Sequence, residues 1–261
     1  MSRQGWDGWD EYAPFYDWEN ARTLGRRDVA FWCRLAATCA DCVLELGCGT
    51  GRISVPLSRA GIRLVGIDRS QPMLERAARR AARRRAGRAS ALGLVRADVR
   101  ALPFAPESFG MVVAPYGMLQ SLLRDRDLTA ALGAAHAVLK PRGTLAIDLV
   151  PDVPQWREYR KRVQLRGRAA GGAHVTLVES VRQDRRRRLT IFDHEYRLRR
   201  GTRVTVHRFS LTFRTLPVMR MRRILARAGF SVRAVLGDYR GRPLAEGQAD
   251  SDVWIILAEK V

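Results

Sequence analysis

Three glycines at alternate positions, Gly47, Gly49 and Gly51, end an apolar run that opens with Val43-Leu-Glu-Leu46. Such a run predicts a buried strand turning sharply into a helix. A turn of small residues lets backbone approach a ligand, while the first amides of the helix present donors to it. Two carboxylates follow in order. Asp68 ends the next apolar run, within about 20 residues of the loop, where it can accept both hydroxyls of a ribose. Asp98 ends the run after that, where it can accept the exocyclic amine of an adenine. Either acid alone could equally cap a helix. Three successive strand ends carrying Gly-x-Gly-x-Gly, Asp and Asp make a stronger pattern. A dinucleotide fingerprint needs Gly-x-Gly-x-x-Gly; here the sixth position is Arg52 and the third glycine comes one residue early, which disfavours NAD or FAD.

The histidines are the natural candidates for a base near neutral pH. His136 falls on a helix and is expected to be structural. His174, His194 and His207 fall in a β-rich stretch, where period-two alternation puts Phe192, His194 and Tyr196 on one strand face and His207, Phe209, Leu211 and Phe213 on another. If those faces cover the ligand, His194 or His207 could act as a base; otherwise they form an aromatic packing surface. Asp148, near a strand end, is a similar candidate. Cys33, Cys39, Cys42 and Cys48 lie close together, and Cys39-Ala-Asp-Cys42 has a spacing that metal and redox sites use. Cys48 sits in the glycine loop and Cys42 opens a strand, so all four read as small buried or loop residues, and no metal is expected.

The elements that must position these residues alternate between β and α from Val43 onward, which demands a parallel sheet with crossover helices. Strands are expected at Val43 to Leu46, Leu64 to Ile67, Gly93 to Arg96, Phe109 to Ala114 and Thr144 to Leu149. Helices are expected with a stripe at Ile53, Leu57 and Ala60, over Gln71 to Arg88, and over Leu128 to Leu139; Lys140-Pro-Arg-Gly143 reads as a turn. After Val150 three long β runs follow, His174 to Arg182, Leu189 to Leu198 and Val204 to Thr215, separated by turn residues, so an antiparallel meander is predicted. A helix over Met219 to Ala228 and strands over Ser231 to Leu236 and Asp252 to Ala258 close the pattern. The expectation is a Rossmann-like, doubly wound, mostly parallel seven-stranded α/β sheet. Residues 1–150 form the N-terminal segment and ligand-binding part, 151–216 an inserted β meander, and 217–261 the completing helix and strands.

A chain of 261 residues, 46% of them hydrophobic, can fill one large α/β core. No apolar stretch is long enough for a membrane span and the N-terminus has no secretory h-region, so a cytoplasmic location is expected. The net charge is +21. It raises nucleic acid as a partner, but three lysines stand against 44 arginines, a bias that also suits a GC-rich coding sequence. The runs Arg79 to Arg88 and Arg185 to Arg188 fit a solvated helix face and a hairpin turn, or a polyanion-binding patch.

Taken together, Val43-Leu-Glu-Leu-Gly-Cys-Gly-Thr-Gly51, Gly66-Ile-Asp68 with Ser70 and Met73-Leu74, Ala97-Asp98-Val99 and Val138-Leu-Lys-Pro-Arg-Gly-Thr144 resemble the class I S-adenosylmethionine-dependent methyltransferase family across nearly the whole chain. Trp9-Asp-Glu-Tyr-Ala-Pro-Phe-Tyr16-Asp17 is similar to an N-terminal segment that in this family closes over the cofactor, with Trp9 replacing a Tyr. The resemblance implies that Gly47, Gly49 and nearby backbone, including Cys48, hold the methionine portion of S-adenosyl-L-methionine, and that Glu45 orders this loop or its amino group. It places the ribose on Asp68, Arg69 and Met73 beside the adenine, and Asp98 with the Val99 amide on the adenine amine and ring nitrogen. Tyr16 would reach the methionine carboxylate. Met73 could equally be simple helix packing.

Methyl transfer from a sulfonium is an in-line displacement, so alignment in a dry pocket supplies most of the acceleration and a base is needed only if the acceptor arrives protonated. In this fold the fourth-strand end, Ala114-Pro-Tyr-Gly117, faces the sulfonium. Nucleobase amino-methyltransferases carry Asn or Asp, then Pro-Pro-Tyr/Phe there; Ala114 and Gly117 depart from that pattern, which argues against base amino-methylation. Tyr116 and Gln120 are the nearest polar candidates for the acceptor site. The expected function is a methyltransferase acting on a small-molecule N or O acceptor, as monomer or homodimer, with the meander as acceptor cap or dimer contact. An RNA methyltransferase using the arginine-rich surface and a non-catalytic cofactor-binding protein are the alternatives.

Overall fold

A computed structural model describes residues 5–23, 28–83, 92–150, 158–169, 171–244 and 253–261. Two helices, α1 (Trp9–Asn20) and α2 (Val29–Ala36), precede the alternating part. There follow β1 (Val43–Leu46), α3 (Ser54–Arg59), β2 (Leu64–Asp68), α4 (Gln71–Ala82), β3 (Leu92–Arg96), β4 (Phe109–Ala114), α5 (Asp125–Val138) and β5 (Leu139–Leu149). Next come β6 (Tyr159–Arg168), β7 (His174–Asp184), β8 (Leu189–Arg200) and β9 (Arg203–Arg214), then α6 (Val218–Arg227), β10 (Phe230–Leu236) and β11 (Trp254–Lys260).

The main sheet has seven strands in the order β10-β11-β5-β4-β1-β2-β3. β1 pairs in parallel with both β2 and β4, so the strand order reverses beside it and the sheet opens a crevice there. All four β1 residues are buried, as a central strand covered on both faces requires. One face carries α5 and α6, whose Leu128, Leu132, Met221 and Leu225 pack on Leu44, Leu46 and Ile147. The other carries α2 and α3, with Trp32, Ile53 and Leu57 packed on Val43, Leu64 and Val113. β11 runs antiparallel to both β5 and β10.

Three features depart from the sequence reading. The expected turn at Lys140 to Gly143 is a bulge inside β5: pairing with β4 jumps from Phe109↔Leu139 to Met111↔Thr144, and Arg142 takes φ +60°. The antiparallel sheet has four strands in the order β6-β7-β8-β9; the unforeseen β6 is an edge strand with Arg160, Lys161, Arg162, Arg166 and Arg168 exposed, a charge pattern that blunts an edge and hides its alternation. The predicted helix from Gln71 is described to Ala82, and Arg84 to Arg88 lie outside the described residues.

The two sheets do not meet face to face. Val175, Leu177, Tyr196, Phe209 and Leu211 of the smaller sheet pack on Tyr12, Phe15 and Tyr16 of α1, with Met73 of α4 in the same cluster. The Phe15 and Tyr196 rings stack at 4.0 Å, a geometry worth about 0.5–1.5 kcal/mol beyond area burial. α1 is joined to the main sheet's side by Arg80 to Asp17 at 2.5 Å and by Thr50 Oγ1 donating to Asp17 at 2.6 Å.

Candidate active site

The glycine loop opens at the carboxyl end of β1. Gly47 and Gly49 adopt φ +66° and +55°, a region that costs residues with a Cβ roughly 1–2 kcal/mol. A Cβ on Gly47 would lie 2.4 Å from Met118 Cγ, whereas one on Gly49 would meet no atom nearer than 4.0 Å. The space beside Gly49 is open.

Asp68, at the end of β2, ties this loop to the next helix. Its Oδ2 accepts the Gly49 amide and its Oδ1 the Ser70 amide, both at 2.8 Å. Burial pushes its pKa up and the backbone amides hold it back. Each oxygen keeps a further lone pair for a hydroxyl donor. Asp98, beyond β3, is gripped by Arg100, whose Nε and Nη2 reach its two oxygens at 2.9 and 2.7 Å, and it is touched by Arg69 at 3.2 Å. The Arg100 guanidinium holds this carboxyl below its usual range despite its partial burial.

These groups line a cavity of about 570 Å³. Of the residues expected at the site, Tyr16, Gly47, Gly49, Asp68, Arg69, Met73, Asp98, Val99 and Tyr116 all line it. Met73 serves both readings, being buried in the α1 cluster and present at the wall. On the far side stand Pro115, Tyr116, Met118 and Phe213, and the segment Gly5 to Glu11 lies along the rim.

Several expected residues stand elsewhere. Glu45 is buried behind the loop, where the Ser54 hydroxyl donates to it; burial pushes its pKa up to about 8. The Cys48 side chain is buried against Gly66, and Ala114 packs in the core. Gln120 does not face the cavity, because it accepts the Val150 amide at 2.8 Å and donates to the carbonyls of Val150 and Arg214 at 3.2 and 3.1 Å. His194 and His207 are not at the cavity either. The aromatic face they share rests on α1, not on the mouth of the main sheet: His207 is exposed and meets Phe15 edge-on at 5.3 Å, and His194 is buried with Nε2 at 2.7 Å from Glu179. Asp148 is buried under the Tyr116 turn, accepting the Gly117 amide and the Tyr239 hydroxyl.

Arg52 was legible in sequence only as the residue that breaks the dinucleotide pattern. In the structure it pairs with the buried Asp28 through two bonds of 2.7 Å and lies 5.1 Å from the Tyr116 ring centroid. Tyr16 and Tyr116 meet edge-to-face at 6.5 Å. Burial raises both phenols above their ordinary value, opposed by Arg52, so both are protonated donors at neutral pH.

Residues 43–143 match the family profile described as "Methyltransferase domain". Demethylmenaquinone methyltransferase of Thermus thermophilus is 32% identical over 188 residues, covering 66% of this chain and 81% of that protein. Among solved structures, the CcbJ methyltransferase from Streptomyces caelestis superposes with a TM-score of 0.79 at 20% identity, covering all of both chains. SAM-bound CalS10, an amino pentose methyltransferase from Micromonospora echinaspora, superposes with a TM-score of 0.67 at 20% identity, covering 95% of this chain and 96% of its own.

Proposed function

The chain belongs to the class I S-adenosylmethionine-dependent methyltransferase family, and on that premise we propose that it methylates a nitrogen or oxygen of a small molecule held in the cavity between the glycine loop and Phe213. The shared lining carries this reading. Strand-end residues line one part of the cavity, and residues 5–11, Tyr16 of α1 and Phe213 of β9 line the rest, so a metabolite beside the cofactor would meet side chains contributed by both sheets. Curated relatives and structural neighbours that act on a quinone precursor and an amino sugar support it.

The residues present fit the cofactor. Gly49 offers open space at the cavity wall; Asp68 is a fixed acceptor at one end, where Asp98 already takes four bonds from Arg100 and Arg69, so that an adenine amine there displaces the longest, Arg69 at 3.2 Å; Tyr16, beside Arg52, offers a donor. We assign the methionine portion to the Gly47 and Gly49 backbone, its carboxylate to Tyr16 supported by Arg52, the ribose to Asp68, and the adenine to Arg69, Met73, Asp98 and the Val99 amide. Glu45 acts through Ser54 as an organiser of the loop. When bound, S-adenosylmethionine supplies an electrophilic methyl on an already activated leaving group. The protein's share is orientation and exclusion of water. Tyr116, protonated and at the wall, orients the acceptor by donating to it or to a neighbouring oxygen. No histidine among the described residues lines the cavity, while the carboxylates of Asp7, Asp10 and Glu11 do; an acceptor that arrives as a free amine would need none of them as a base. The small sheet, through Phe213, forms part of the acceptor wall.

The basic sheet face favours RNA as a second reading: Arg166 and Arg168 of β6 lie opposite Thr176 and His174 of β7, which in turn lie opposite Arg197 and Arg199 of β8. One experiment separates the two. Labelled methyl transfer from S-adenosylmethionine into a metabolite extract and an RNA pool in parallel should label the low-mass fraction; label confined to RNA would sink the small-molecule reading.

A further inference from the structure

Two glycines tie a strap of chain across the cavity. A Cβ on Gly5 would fall 1.4 Å from the Ser121 carbonyl oxygen, and one on Gly8, at φ +91°, would fall 2.6 Å from the Ser210 carbonyl oxygen of β9. Trp9 Nε1 closes the strap on itself by donating to the Gly5 carbonyl at 3.0 Å. Between the anchors, Trp6 lines the cavity. The guanidinium carbons of Arg69 and Arg100 lie 4.3 and 4.5 Å from its ring centroid.

Those two cations are themselves held. Arg100 is bidentate to Asp98 and bonds the buried Asp127 at 2.8 Å. Arg69 reaches Asp98 at 3.2 Å, and its carbonyl accepts Arg96 Nε at 3.2 Å. The indole therefore rests on a pair of guanidinium groups at the Asp98 end of the cavity, each contact worth about 0.5–1 kcal/mol where the cation is partly exposed.

We propose that Trp6 is a cofactor-retaining residue: clamped on Arg69 and Arg100, its indole lies over the Asp98 end of the cavity, partly covers the adenosine part of S-adenosylmethionine and slows its escape. This rests on the reading that Asp98 takes the adenine. The strap's two glycines let backbone press against backbone at Ser121 and Ser210, so the indole is set in place before any ligand arrives.

The test is calorimetry and stopped-flow displacement on the full chain with S-adenosylmethionine and S-adenosylhomocysteine, with circular dichroism melts of each unliganded variant. Trp6→Ala should raise the dissociation rate of both ligands about tenfold, the scale of two cation–π contacts, and Trp6→Phe should fall between it and the parent. Gly5→Ala, which lifts the strap from Ser121 while leaving the indole intact, should shift the rate in the same direction. Dissociation unchanged or slowed in Trp6→Ala, with affinity lost in Asp98→Ala, would overturn the clamp and leave the site assignment standing. Affinity unchanged in both variants would overturn the placement of adenine at Asp98, and the clamp with it.

Discussion

Asp148 on β5 accepts the Gly117 amide at 2.6 Å, and through that bond it fixes the neighbouring Tyr116, whose φ of +63° lies in the left-handed region that bulky residues rarely occupy. Its other oxygen takes the Tyr239 hydroxyl at 2.8 Å. Strain of this kind persists only where surrounding bonds overdetermine the backbone, and it collects at working sites. Tyr116 is the strained residue at the cavity wall, and Asp148 is the group that keeps it there.

Asp148→Ala should therefore leave the buried Gly117 amide and the part-buried Tyr239 hydroxyl unpartnered, the buried donor alone costing about 1–3 kcal/mol. Urea unfolding should show a loss of about 3 kcal/mol. Asp148→Asn retains an acceptor and should recover about half of that. A loss below about 1 kcal/mol in the Ala variant would mean that the bond does not hold the turn.

Gly49 and Gly61 make a matched pair. Both have positive φ, +55° and +89°, and neither has an atom nearer than 4 Å to an added Cβ. Alanine at either should destabilise by about 1–2 kcal/mol through backbone strain alone. Only Gly49→Ala puts its methyl into the cofactor cavity, so it alone should abolish calorimetric binding of S-adenosylmethionine. Equal binding by the two variants would contradict the placement of the cofactor.

Glu45 links stability to pH. Its folded pKa is raised to about 8 by burial, above the ordinary carboxylate value, so the folded state holds a proton that the unfolded state has released. Its contribution is most favourable below about pH 4.3. It is lost as pH rises through the window up to about 8. Glu45→Gln keeps an acceptor for Ser54 without the ionisation. The melting temperature of Glu45→Gln relative to the parent should rise between pH 5 and 8, by the equivalent of several kcal/mol at most. A flat difference across that range would show that Glu45 stays ionised.

His194 is predicted to be structural. It lies on the α1 side of the small sheet with Glu179 at 2.7 Å, and Glu179 also accepts the Tyr159 hydroxyl. His194→Phe removes one partner of a buried carboxylate and should cost about 1.5–3 kcal/mol, with S-adenosylmethionine affinity unchanged. Once an acceptor is found, a folded His194→Phe enzyme that binds both ligands but does not turn over would restore the histidine as a base.

Much of the cofactor end was legible in the amino acids. Val43 to Leu46, Leu64 to Ile67 and Phe109 to Ala114 read as strands because a parallel sheet covered on both faces needs short continuous apolar runs, and those runs end where the chain must turn. Glycine at Gly47 and Gly49 and carboxylates at Asp68 and Asp98 mark the turns themselves. Local chemistry at a strand end leaves a local trace. The edge strand β6 left none, since its exposed arginines mask the alternation.

The acceptor side was a matter of packing between distant segments. Period two put His194 with Tyr196 on one strand face and Phe209 with His207 on another, and only the register, with His194 opposite Phe209, joins the two into one sheet face; alternation assigns a residue to a face but says nothing of what that face covers. It covers α1. Arg52, Asp148 and Trp6 gained their roles through partners at Asp28, Gly117 and the Arg69–Arg100 pair, contacts across sequence separations that no spacing rule reaches. The sequence by itself thus determined the cofactor and the sheet that carries it, because those depend on residue type at strand ends. Only the tertiary structure decided which side chains wall the cavity, because that depends on α1 coming between the two sheets and on the strap from Gly5 to Gly8 crossing the cavity.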